Sequence, residues 1–186
     1  MNSGKFASFK HSALKAALAS ALVLGGAGFG VNAYAAVATS TATSTVIAPI
    51  GITAPVVLSF GKFAPGAGGS VTISNSGART SSGVILSSTS SVQTAARFDV
   101  TGEGSSTYAI THSGVTVLSD TATTPNTMAL AKTSDLTGAN VTTGNVATGT
   151  LTSGVQSIYV GGTLTVGATQ VAGTYTGAVT VTVEYN

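Results

Sequence analysis

The sequence has no cysteine and no tryptophan, and charged residues make up only 6% of its 186 positions. Without cysteine, no disulfide can staple the fold. Without tryptophan, and with few other aromatics, stacking platforms for sugars or single-stranded nucleic acid are poor. Average proteins carry roughly 25% charged residues, so the scarcity here is marked. It does not imply disorder, which needs low hydrophobicity together with high charge. Beyond the first 35 residues the good helix formers are scarce as well. What is abundant is Thr, Val, Ala, Ser and Gly. Thr and Val suit a pleated, half-buried surface, and Gly and Ser suit turns. The expected class is all-β.

The first 35 residues stand apart. Lys5, Lys10 and Lys15 form a basic stretch, residues 16–31 are uncharged and apolar, and Ala33 and Ala35 flank Tyr34 in a small-x-small pattern. This is the pattern of a secretory signal peptide cleaved after Ala35. The apolar run is short against the roughly 20 residues that a spanning helix needs. No membrane span is expected in the mature chain, which is expected to be exported. Three of the seven Lys and Arg would leave with the signal, so four cations face five acids and the mature formal charge is −1. The basic pI belongs to the precursor. Four scattered cations cannot neutralise a run of phosphates, so no nucleic-acid partner is expected.

Residues 36–45 alternate small residues with Thr, and read either as a linker or as an extended strand. Pro49 and Pro55 exclude a central, fully paired strand around them. A buried strand is expected over 56–61, ended by Gly61 and a loop at 64–69. That loop lacks the Gly-Lys-Ser/Thr ending of a phosphate-cradling loop. Further strands are expected at 70–74 and 83–86, with weaker ones at 115–118 and 128–130. Phe98 and Val100 are expected to form a hairpin with Tyr108 and Ile110 across the turn at 102–105. Residues 133–154 offer little to bury and read as a mobile surface loop. Two short strands follow, around Ile158–Val160 and Leu164–Val166, separated by Gly161 and Gly162. The strongest pattern is last: over 174–185, Tyr175, Val179, Val181, Val183 and Tyr185 face one way, and Thr and Glu face the other. Eight to ten short strands with Gly/Ser turns imply a β-sandwich with Greek-key character.

Chemistry-bearing residues are sparse. His112 is the sole histidine beyond the signal segment, so neither a zinc site nor a Ser-His-acid arrangement stands out. Asp99 and Glu103 are candidates for paired carboxylates, but one points outward and the other sits in a turn. Asp120 and Asp135 lack calcium-loop spacing. No enzyme activity, catalytic residue, metal or cofactor is expected.

The two ends of the mature chain carry the remaining signal. Tyr185 is the penultimate residue and Gly173 stands fourteenth from the end, with alternating apolar residues between. This resembles the C-terminal motif of chaperone–usher pilins, which are incomplete immunoglobulin-like sandwiches completed by a donor strand from the next subunit. Ala172-Gly173-Thr174-Tyr175 running into residues 179–183 also resembles spore-coat-U-like secreted proteins. Leu58-Ser59-Phe60-Gly61, Ala64-Pro65-Gly66 and the turn at 100–103 resemble a bacterial secreted family catalogued as a domain of unknown function.

The pilin resemblance implies a fimbria-like surface subunit that passes through the periplasm. Its partners would be copies of itself, a periplasmic chaperone and an outer-membrane usher. The acceptor, or chaperone-binding, edge would be Gly173, Tyr175, Val179, Val181, Val183 and Tyr185. The donor would be Ala38, Ser40, Ala42, Ser44 and Val46, within an extension over 36–47 that precedes a single domain over 48–186. Two features depart from the pilin pattern: the missing disulfide, and a donor less apolar than is usual. Val46, Ile47, Ile50 and Ile52 alternatively form the domain's own first strand. The rival readings are a self-contained coat or matrix protein, and a carbohydrate-binding adhesive module using the 133–154 loop.

Overall fold

The computed structural model describes residues 34–186. The expected signal segment, apart from Tyr34 and Ala35, lies outside the described residues, and so does Ala33. The chain divides into two compact units, Met1–Thr43 and Ser44–Asn186. In the first, residues 34–43 are exposed and form no strand. In the second there are twelve strands: β1 (Gly51–Val56), β2 (Phe63–Ala64), β3 (Gly69–Ile73), β4 (Arg79–Ser82), β5 (Ile85–Leu86), β6 (Ala96–Thr101), β7 (Thr107–Gly114), β8 (Val117–Ser119), β9 (Thr127–Asp135), β10 (Thr148–Thr150), β11 (Val155–Val166) and β12 (Val179–Tyr185). No helix occurs among the described residues.

The fold is all-β, a β-sandwich of antiparallel sheets. The larger sheet has seven strands: β1-β6-β11-β3-β4, with β9 also paired to β11 and β8 to β9. The smaller is β10-β7-β12, and β2 and β5 form a separate pair. β1 lies at an edge and contains Pro55, whose missing N–H is tolerated there; its register with β6 shifts between Thr53 and Val56.

Two apolar clusters fill the interior. One joins Phe98, Val100, Ile158 and Val160 of the large sheet to Tyr108, Ile110 and Val181 of the small sheet, with Leu151 beside them. The other gathers Phe60, Val71, Ile73, Val84, Met128, Leu130, Leu164 and Val166. Leu58 and Val179 pack against both.

Several expectations are corrected. Phe98–Val100 and Tyr108–Ile110 do point inward, yet β6 and β7 belong to different sheets and meet across the core, not edge to edge. Strand β1 ends where the 56–61 strand was expected to begin; Val57 is exposed, and only a single bridge joins Ser59 to Thr94. At 83–86 only the two residues of β5 pair, and Ile85 is exposed. The segment expected to loop out over 133–154 contains the end of β9, with Thr133 and Ser134 buried, and then β10 and a buried Leu151.

The two strands expected at Ile158–Val160 and Leu164–Val166 are one, β11. One edge of β11 pairs with β9 from Tyr159↔Asp135 to Thr165↔Ala129. The other edge pairs with β6 as far as Val160↔Ala96, then with β3 from Gly162↔Ile73. Gly161 falls in the gap between the two partners. Its N–H donates to Oδ1 of buried Asn75 at 2.8 Å, and Thr133 Oγ1 donates to the same oxygen at 3.0 Å. A buried N–H left unpaired costs about 1–3 kcal/mol, so Asn75 stands in for the missing strand. A side chain at 161 would not fit, because an added Cβ would lie 2.8 Å from the Ser74 carbonyl carbon.

Candidate functional site

The expected acceptor residues separate into two groups. Val179, Val181, Val183 and Tyr185 lie on β12, which pairs with β7 along its whole length, from Val179↔Gly114 to Tyr185↔Tyr108. Val181 is buried and the other three are half-buried, while Thr180, Thr182 and Glu184 are exposed. The alternation read from the sequence holds there. It does not extend back to 174, because Thr176 bridges to Ser119, the last residue of β8, in the other sheet. Gly177 lies at the crossing, where an added Cβ would lie 2.5 Å from Val115 Cγ2.

Among the described residues β12 pairs on one edge only. Its far end is fastened: Tyr185 Oη accepts from Glu103 N–H at 2.6 Å and donates to the Ala48 carbonyl at 2.9 Å.

Gly173 and Tyr175 instead line an apolar cleft of about 730 Å³ with Phe60, Phe63, Met128 and Leu164. Tyr175 Oη donates to the Val171 carbonyl at 2.7 Å and accepts from Gln170 Nε2 at 2.8 Å. The segment at 60–62 is held by Arg79, whose guanidinium donates to the carbonyls of Phe60 (3.1 Å), Lys62 (3.3 Å) and Ser87 (2.9 Å). No sequence motif marks Arg79 for that role. The expected donor residues Ala38, Ser40, Ala42, Ser44 and Val46 are all exposed and outside any strand.

A family model described as Domain of unknown function (DUF4402) matches residues 50–185. The chain belongs to the DUF4402 family. No curated protein matches it, and no solved structure does. The DUF4402 region spans all twelve strands, and so includes the acceptor residues; it begins after the five donor candidates.

Several titratable side chains of this DUF4402 domain are committed to local structure. The Nε2 of His112 lies 3.0 Å from both the Val146 carbonyl and Ser134 Oγ. It pins the 146 segment to β7 and β9. Asp120 accepts from the backbone N–H groups of Ala122 and Asn126 and from Asn126 Nδ2, at 3.2, 2.9 and 2.7 Å. The Asn126 side-chain hydrogen bond, more than any other contact, holds its carboxyl below the ordinary carboxylate range. Asp135 caps the loop after β9 in the same way, accepting from Thr137 Oγ1 and from the N–H groups of Gly138 and Ala139. Asp99 bridges Arg97 and Ser157. Among the described residues no three His or acidic side chains come together as a metal site would require.

Proposed function

We propose that the chain is a non-catalytic, exported structural subunit that polymerises by strand addition, residues 36–47 of one copy pairing with the free edge of β12 in the next. The free edge of β12 carries this reading. A long edge strand with an apolar face is a template for pairing with another chain. The twelve-residue extension is uncharged and forms no strand among the described residues. Fully extended it would span about 40 Å, against about 23 Å for the seven residues of β12, at roughly 3.3 Å per residue. Its side chains are small, so backbone hydrogen bonds would supply most of the affinity, as in other strand-addition complexes. The resemblance to chaperone–usher pilins supports a periplasmic chaperone, an usher and a fimbrial destination at the cell surface.

A second reading draws on the hydrogen bond from Tyr185 to Ala48, which ties the domain's own leading segment to its own last strand. On that reading the protein is a self-contained coat or matrix component. Deleting residues 36–45 separates the two. Strand addition requires the full chain to form polymers in size-exclusion chromatography and electron microscopy, and the deletion variant to remain a folded monomer with an unchanged far-UV spectrum. Polymers that persist after the deletion would sink the donor reading; a full chain that stays monomeric would favour the second.

A further inference from the structure

The outer face of the large sheet carries a second cavity, of about 380 Å³, that polymerisation does not use. Its lining includes Asn75, Gln93, Arg97, Thr137, Gly138 and Tyr159. Arg97 and Tyr159 sit directly opposite each other on β6 and β11. Val56 of β1 and Asp135 of β9 continue the same rank across four strands. Cross-strand partners on one face lie about 4.5–5.5 Å apart at Cβ, so this rank is a rigid base. The loop after β9 is held over it at both ends. Asp135 caps residues 137–139, and the Val141 carbonyl accepts from Asn75 N–H at 2.9 Å.

We propose that this cavity binds a neutral saccharide. Three features select that class. The first is charge: among the described residues Arg97 is the only ionised group in the lining, and Asp99 pairs with it, Nη2 donating to Oδ2 at 3.1 Å while Nε lies 3.1 Å from Oδ1 outside hydrogen-bond geometry. The pair is neutral overall, which disfavours a phosphate or sulfate and leaves Arg97 Nη1 without a partner among the described residues. The second is polar capacity. The Gln93 amide is unpartnered among the described residues, and so is buried Nδ2 of Asn75, while Thr137 Oγ1 retains acceptor capacity. Sugar hydroxyls both donate and accept, which matches a lining of mixed amides and a hydroxyl. The third is the ring of Tyr159, an apolar surface with a polar tip. Gly138 lies against it with no side chain; a Cβ there would stand 3.4 Å from the ring. The volume falls in the range of about 300–1,000 Å³ usual for small-ligand sites. At about 30 Å³ per water it exceeds by far what one structural water would occupy.

The test uses the full chain against printed glycans, followed by equilibrium titration with the neutral oligosaccharides that bind. Wild type is expected to bind at least one neutral glycan. Gln93→Ala, an exposed change, and Tyr159→Ala should each weaken it at least tenfold. Gln93→Ala should leave the melting temperature unchanged, so it serves if Tyr159→Ala fails to fold. Binding confined to sulfated or phosphorylated glycans would overturn the ligand class. Absence of any binding, or binding that Gln93→Ala leaves intact, would overturn the site.

Discussion

Tyr108 is the largest fully buried side chain, and its hydroxyl has no hydrogen-bond partner among the described residues. The ring fits because its cross-strand neighbour is Gly149, where an added Cβ would lie 2.8 Å from ring carbon Cε1. A buried hydroxyl without a partner opposes folding. Tyr108→Phe should therefore leave stability unchanged or raise it by up to about 1 kcal/mol, read as the urea midpoint at constant slope. A marked loss would show that the hydroxyl is bonded after all. Burial also raises the Tyr108 pKa above its ordinary value near 10. The unfolded chain then loses that proton first, so the native state loses stability as pH rises from about 10 through the folded value. In Tyr108→Phe that part of the alkaline decline should vanish. The inward direction of Tyr108 was legible from its alternation with Ile110. The orphaned hydroxyl was not, because hydrogen-bond partners depend on what lies across the core.

At the scale of the element, β11 and β12 show opposite errors of reading. In β11 the residues Ile158, Val160, Gly162, Leu164 and Val166 keep one phase without a break, so a single strand was present in the pattern. The glycine pair reads as punctuation, yet Gly161 serves the switch of partner from β6 to β3. In β12 the alternation suggested too long a strand, since pattern cannot show that the chain changes sheets at Gly177. Asn75 closes the gap in β11, and no local pattern singles it out. Asn75→Ala should cost about 1–3 kcal/mol, because it leaves the buried Gly161 N–H unsatisfied. Thr133→Val, which removes only the second bond to Asn75, should cost less. If Asn75→Ala is neutral in chemical denaturation, the gap is satisfied in some other way.

For the molecule as a whole, the two core clusters share Leu58 and Val179, and β11 contributes buried residues to both. Coupled in this way, residues 44–186 should unfold in one cooperative step, with far-UV circular dichroism and tyrosine fluorescence giving coincident transitions. Separated transitions would show that the clusters are independent. Absence of cysteine means that this stability must rest on packing and hydrogen bonds alone, and should not respond to reductant.

Composition and period-2 alternation by themselves determined the all-β class, the inward faces of β3, β6, β7 and β12, and the exclusion of a central, fully paired strand around Pro55. These are local consequences of side-chain direction in an extended chain. The tertiary structure alone decided which strands pair and which merely face each other, as with β6 and β7. It also decided that Arg97 and Tyr159, more than sixty residues apart, share one rank, and that β12 pairs on one edge only among the described residues. Pairing and facing bury the same side chains, so alternation cannot distinguish them; only the long-range hydrogen-bond register does.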